Sequence, residues 1–266
     1  MIMTEILMIS HLFSWQHLLI FTIVVGYTIG LYVGLKKCTQ QMQFKVLLSL
    51  SILSVLLFAW RWRVLFTGQA LTPGEYGGLL PLELCNIGAF VLPLTVLFKK
   101  RFLFVFSFFI NLIGALLAFI LIPDSLHQRF FFHPQFLDFF IIHANLIAIP
   151  FAMIACGWYK FRLKDAVLAT TLFYLLGLIL LGINLFLEAI NWRGDHTNYL
   201  FIMGPRGFPI LNELYDLIPI PLIYLLPLLP LFLGYCILVT LPLVKRSDWH
   251  EQFKEMGRSL KTAGFR

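Results

Sequence analysis

The chain has 266 residues, of which 60 % are hydrophobic and 12 % charged, where a water-soluble domain carries roughly 45–50 % and about 25 %. A surface so poor in charge has lipid as its solvent and excludes an ordinary soluble enzyme or binding module. The formal net charge is +7, but the basic residues fall in short runs between apolar stretches, which encodes topology and leaves no reason to expect nucleic acid as a partner.

Crossing the hydrocarbon takes about 20 apolar residues in a helix, and seven stretches qualify. Glu5 and no basic residue precede the first, and no small-residue cleavage site follows it, so a cleavable signal peptide is not expected. The first helix is expected over 17–35 and is followed by Lys36 and Lys37; the second runs over 45–64 and closes on Trp60, Arg61, Trp62 and Arg63. The third covers 79–98 and leads into Lys99, Lys100 and Arg101. The fourth, 102–122, is interrupted only by Ser107 and Asn111, and Asn111 is expected to bond a neighbouring helix. The fifth and sixth are expected over 137–157 and 166–187. The seventh, 217–244, holds Pro219, Pro221, Pro227, Pro230 and Pro242. Each proline removes a backbone donor and clashes with the preceding turn, so this segment should be kinked or broken.

After a membrane domain of residues 1–245, residues 246–266 form a tail. Trp249, Phe253, Met256 and Leu260 share one helical face, and Lys254, Arg258 and Lys261 another. That pattern predicts a basic amphipathic helix on an anionic inner leaflet. The fold class is therefore all-α, a polytopic transmembrane bundle of about seven helices. The short loops with Lys36, Lys37, Lys45, Lys99, Lys100, Arg101, Lys160, Arg162 and Lys164 lie on the same side as the basic tail; Arg61, Arg63, Arg129, Arg193 and Arg206 lie on the other. This bias predicts the N-terminus outside and the C-terminus in the cytoplasm.

Ionisable residues within a membrane are costly, so their positions carry information. Glu83, Cys85 and Asn86 fall near the outer end of the third helix; Asp138, His143 and Asn145 near that of the fifth; Asn184 and Glu188 near that of the sixth. Asn191, His196, Asn198 and Tyr199 follow in a loop, and Asp216 precedes the proline-rich segment. On these boundaries Cys85 and His143 each lie roughly six residues, about 9 Å, below the outer surface. A thiol and an imidazole at matching depth make a nucleophile and a base, with Glu83 or Asp138 to orient the imidazole. Asn86, Asn184, Glu188, Asn198, Tyr199, Asp216 and Arg61 are the residues expected to bind substrate. Each also has a plainer reading: a buried thiol is often a small hydrophobe, an imidazole a helix–helix bond, and Arg61 between tryptophans an interfacial anchor. The four cysteines have no CxxC spacing and HExxH is absent, so neither a metal nor another cofactor is expected.

Three segments resemble a known family. Leu80-Pro81-Leu82-Glu83-Leu84-Cys85-Asn86-Ile87 is like an "LPLHLC" stretch, and Phe139-Phe140-Ile141-Ile142-His143 is like "FFisH". Asn198-Tyr199-Leu200-Phe201, with Pro205, Asp216, Pro219, Pro221 and Tyr224 after it, is like "NYmFL…P…LLD…P.P..Y". These resemble the YwaF-like integral membrane proteins of bacteria, which are similar to the vertebrate transmembrane protein 164 family. The resemblance implies a multi-pass fold and, from the vertebrate relatives, lipid acyl transfer with a cysteine nucleophile and a histidine on separate helices. It carries over to His143. The vertebrate nucleophile aligns with Leu82, not Cys85, and the histidine of the first stretch is Glu83 here.

Three functions follow. The first is a lipid acyltransferase or acyl hydrolase with an extracytoplasmic site, acting on membrane lipids in a bacterial cytoplasmic membrane. The second is a transporter or ligand-binding membrane protein, suggested by the proline-broken helix and buried acid–base residues, although no internal repeat supports it. The third is a non-catalytic envelope assembly factor, with a homo-oligomer or an envelope protein as partner.

Overall fold

The computed structural model describes residues 15–67, 80–120, 134–192, 197–205, 208–244 and 248–262. Arg129, Arg193, His196 and Arg206, expected on the outer side, lie outside them, as do the side chains of Arg61 and Arg63. The described residues form nine helices and no strand: α1 (Trp15–Lys36), α2 (Gln40–Thr67), α3 (Leu84–Phe98), α4 (Arg101–Ile120), α5 (Pro134–Ala155), α6 (Lys164–Ala189), α7 (Pro209–Leu217), α8 (Leu228–Thr240) and α9 (Trp249–Thr262). Five are long and apolar enough to cross a bilayer, within α1, α2, α4, α5 and α6; α3 and α8 are shorter apolar helices. The protein is a multi-pass, all-helical membrane protein.

One expected span is corrected: the third begins at Leu84, not 79, because Leu80 to Glu83 form a turn closed by the Leu82 N–H on the Leu80 carbonyl at 2.8 Å. The seventh, 217–244, is broken, as its prolines predict. α7 ends at Leu217, ahead of Pro219, where Ile218 has turned extended (φ −134°, ψ 82°), and α8 begins only after Pro227. A residue before proline is pushed out of the helical region, and prolines at 219 and 221 apply that pressure twice. The fourth span carries a π turn at Phe106–Ile110, a feature that apolar periodicity does not reveal.

The chain divides into two compact units: residues 1–66 with 85–159, and residues 67–84 with 160–266. In the first unit, buried polar groups join helices that apolar contact alone would leave free to slide. Asn145 of α5 donates to the Leu50 carbonyl (3.2 Å) and the Ser54 hydroxyl (3.0 Å) of α2, and accepts from the Tyr27 hydroxyl of α1 (2.7 Å). The Thr95 and Ser107 hydroxyls bond at 2.8 Å between α3 and α4. One turn pair further along, Gly88 meets Asn111: a Cβ at 88 would fall 2.5 Å from Asn111 Oδ1. In lipid such polar ties replace the missing hydrophobic driving force between helices. Phe108 meets Phe151 edge-on at 5.3 Å, joining α4 to α5.

In the second unit, Phe173 stacks on Phe232 at 4.7 Å, holding α8 to α6. The expected tail helix forms, and its apolar residues divide. Met256 packs with Leu163 and Val167 at the start of α6, Gln252 Oε1 accepts the Leu163 N–H at 2.8 Å, and Glu255 pairs with Lys164 at 3.3 Å. Phe253 stays exposed.

Candidate functional site

His143 lies on α5, nine residues past Pro134, with only 2 % of its surface exposed. Its Nδ1 sits 2.6 Å from the Phe139 carbonyl one turn back. A carbonyl oxygen only accepts, so Nδ1 carries the proton and Nε2 is the nitrogen that exchanges one. The ring lies against Phe139 (centroids 4.2 Å apart) and meets Phe119 of α4 edge-on at 6.0 Å. The imidazole is thus fixed in tautomer and direction inside an aromatic slot. Asp138, also buried, accepts the Phe139 N–H at 2.7 Å through Oδ1. Asn145, read with these two from the sequence, is the three-helix tie described above.

The start of α3 at Leu84 changes the setting of the thiol. Cys85 is the second residue of the helix, not six residues inside it. It is half-buried, with Sγ 4.0 Å from Oδ1 of the buried Asn86. Glu83 precedes the helix, which begins at Leu84, and falls in the second unit. The contacts of Thr95 with Ser107 and of Gly88 with Asn111 run antiparallel along α3 and α4. Cys85 is the second residue of its helix and His143 the tenth of its own, so the equal count of six residues from each helix end does not hold. Asn111, expected to bond a neighbouring helix, is fully buried against Gly88, with no hydrogen-bond partner for either amide atom among the described residues.

Of the substrate-binding residues expected in the second unit, Asn184, Asn198 and Tyr199 take part in hydrogen bonds that hold the backbone. Asn184 on α6 donates from Nδ2 to the Tyr199 carbonyl (3.1 Å) and accepts the Tyr199 N–H at Oδ1 (2.9 Å), clamping both faces of one peptide position. Asn198 donates to the Gly204 carbonyl and accepts the Met203 N–H, each at 2.8 Å. The Tyr224 hydroxyl reaches the Phe201 carbonyl, and the Leu222 N–H the Ile202 carbonyl at 2.9 Å. These bonds hold Leu200, Phe201 and Leu222 at φ of 58°, 57° and 62°, a left-handed conformation that costs a side-chain-bearing residue about 1–2 kcal/mol. Glu188, in the last turn of α6, and Asp216, near the end of α7, are exposed. Arg61 lies within α2 rather than ending it.

Among the described residues no three His, Cys, Asp or Glu side chains gather as metal ligands would. At the opposite end of α5, outside the spans, burial pushes the Cys156 thiol up to about 11, Cys38 adding to the rise and Lys99 opposing it. Sequence reading missed the neighbourhood of Cys156, where Lys99 lies 3.9 Å over the Trp158 ring. The run Lys99-Lys100-Arg101 was its only signal.

The model of the TMEM164 family matches residues 12–241, from the start of α1 to the end of α8, and the chain belongs to that family. No curated protein and no solved structure matches it.

Proposed function

For this member of the TMEM164 family we propose a membrane-embedded enzyme of lipid acyl chemistry, an acyltransferase or acyl hydrolase, with His143 as general base and Cys85 as nucleophile. One observation carries the reading: a buried imidazole with Nδ1 held by the Phe139 carbonyl, which directs the basic Nε2 outward from that bond. In the proposed step Nε2 takes the Cys85 thiol proton as sulfur attacks an ester carbonyl of a membrane lipid. The imidazolium then returns the proton to the departing alkoxide, and a thioester remains. A lysolipid hydroxyl or water, activated by the same nitrogen, takes the acyl group and restores the thiol. The aromatic walls of Phe119 and Phe139 suit an apolar acyl chain. Cys85 lies in the first turn of α3, where unbonded helix amides favour negative charge gathering on sulfur. By loop charge, the site faces the extracytoplasmic side.

The test is turnover of phospholipid and glycolipid esters by the full chain reconstituted in vesicles, wild type against His143→Gln and Cys85→Ala. Loss of a general base costs roughly 10²–10⁴-fold, so His143→Gln should fall by at least two orders of magnitude with helicity unchanged. Wild-type turnover in both variants overturns the proposal. An inactive His143→Gln beside an active Cys85→Ala moves the reading to base-activated hydrolysis without a thioester.

A transport or binding role has its own support: the stretch Asn198–Gly204 and Leu222, non-helical backbone stitched to α6 by side chains, of the kind that lines polar sites in carriers. Solute flux in proteoliposomes that disappears in Glu83→Gln or Glu188→Gln would favour it.

A further inference from the structure

The helix α9 lies beyond residue 241, where the family match ends, and its contacts fix both its place and its rotation. Met256 packs with Leu163 and Val167 at the start of α6, and Leu233, Ile237 and Leu241 pack against that cluster. Gln252 accepts the Leu163 N–H at 2.8 Å, Glu255 pairs with Lys164 at 3.3 Å, and the Trp249 indole N–H donates to the Val244 carbonyl at 3.2 Å. Lys164 opens the span of α6, so α9 sits at the level where that helix enters the bilayer. The apolar face of α9 is shared: its centre belongs to the protein and its edge does not.

The part of α9 left outside those contacts is divided by charge. Counting about 100° per residue from Met256, Phe253 stands about 60° round the helix, and Gly257 at about 100°, His250 at about 120° and Lys254 at about 160° follow on that side. Round the other side come Glu255 at about 100° and Glu251 at about 140°, with Arg258 between Glu251 and Lys254. Phe253 is 41 % exposed, and His250 and Lys254 are exposed with it. Gly257, one turn after Phe253, has nothing within 4 Å of the place where a Cβ would stand, so the surface between the ring and the basic residues is open. An apolar body with a cationic rim is the order of groups that suits a bilayer boundary. The acidic flank, which an anionic surface repels, begins with Glu255 on Lys164, away from this edge.

We infer that the flank of α9 formed by Phe253, Gly257, His250 and Lys254 docks on the anionic lipid of the cytoplasmic leaflet, the Phe253 ring entering among the upper acyl chains and Lys254 meeting headgroup phosphate. The partner is a lipid surface, because the contacts with α6 seat α9 at the bilayer boundary and the exposed edge carries the charge that an anionic leaflet selects. Loop charge makes this the cytoplasmic end. One lysine near such a surface contributes about fivefold in affinity. Since Gln252 and Glu255 bond the first residues of α6, a leaflet that holds α9 also braces the base of that helix. The inference does not rest on acyl chemistry.

The experiment follows hydrogen–deuterium exchange of the peptide spanning α9 in the full chain, held in nanodiscs of phosphatidylcholine alone or of an equal mixture with phosphatidylglycerol. Wild type should exchange about fivefold more slowly in the mixture, and added salt should bring the two rates together. Lys254→Gln should lose most of that difference. Glu251→Gln, which changes the net charge by the same amount on the opposite flank, should leave it within about twofold of wild type. Gly257→Leu should slow exchange in both compositions by about tenfold relative to Gly257→Ala, which gains the same helix propensity without reaching the acyl chains. Equal exchange of wild type in the two compositions overturns anionic lipid as the partner. An unchanged difference in Lys254→Gln, or a Gly257→Leu no slower than Gly257→Ala, overturns the flank. Protection in native membrane vesicles that neither nanodisc reproduces assigns the flank to a protein partner and overturns the lipid reading as well.

Discussion

Replacing Asn145 by alanine removes three interhelical hydrogen bonds at once: to the Leu50 carbonyl, to the Ser54 hydroxyl and from the Tyr27 hydroxyl. Within a membrane such bonds average about 0.6 kcal/mol, with a maximum near 1.7, so the variant should lose about 2 kcal/mol. Ser54 keeps its bond to the Leu50 carbonyl at 3.3 Å, which limits the loss on the α2 side. Tyr27 gives up its bond to Asn145, so Tyr27→Phe alone should cost about 0.6 kcal/mol. In the double variant the shared bond is lost once, and the two effects should fall short of additivity by about that amount. Reversible unfolding of the full chain in mixed micelles of rising sodium dodecyl sulfate content, followed by helicity, measures all three. Asn145→Ala within about 0.5 kcal/mol of wild type, or strict additivity with Tyr27→Phe, would refute the idea that this residue ties α1, α2 and α5 together.

Three further outcomes are expected. Gly88→Ala should destabilise the same unfolding transition by about 1–3 kcal/mol through overpacking, because its Cβ would fall 2.5 Å from Asn111 Oδ1; Gly88→Ala/Asn111→Ala should recover most of that, and equal loss in both would rule out the contact as the cause. Gln252→Ala removes the acceptor of the Leu163 N–H and should speed proteolytic removal of α9 several-fold while leaving the membrane helices protected, a prediction that fails if cleavage is unchanged. Cys156, with its thiol pushed up to about 11, is about one part in 10⁴ thiolate at pH 7. Maleimide labelling, read at this residue by peptide mass spectrometry, should rise about tenfold per pH unit between pH 7 and 10; rapid labelling at neutral pH would contradict the burial.

The spans were legible because apolar length is a property of composition, and α1, α2, α4, α5 and α6 needed little else. What escaped was set by backbone geometry. Leu79, Leu80 and Leu82 read as the beginning of a helix, yet Leu80 to Glu83 form a turn, and Pro81 with its constrained neighbour is the one sequence cue. The break in the seventh span was foreseeable, since prolines two apart at 219 and 221 leave no room for a helical ladder. Its exact form, with Leu222 left-handed at φ 62°, depends on the Leu222 N–H finding the Ile202 carbonyl, a partner twenty residues away that no local pattern names.

Site residues were harder, because in a membrane the same rarity marks structure and chemistry alike. Asn184, Asn198 and Asn145 drew attention as costly polar groups, and each uses its amide to hold backbone or a neighbouring helix. His143 attracts the same suspicion and is also back-bonded to its own helix, but the consequence differs. An asparagine amide that makes such bonds has committed part of its hydrogen-bonding capacity to structure, one donor and one acceptor in Asn184 and in Asn198. An imidazole that spends Nδ1 on a carbonyl acquires a defined basic nitrogen at Nε2. One structural bond therefore makes His143 more suitable for proton transfer, whereas the same kind of bond makes Asn184 less available to a substrate. That distinction needs the bonded atom, and the atom is what sequence spacing does not give.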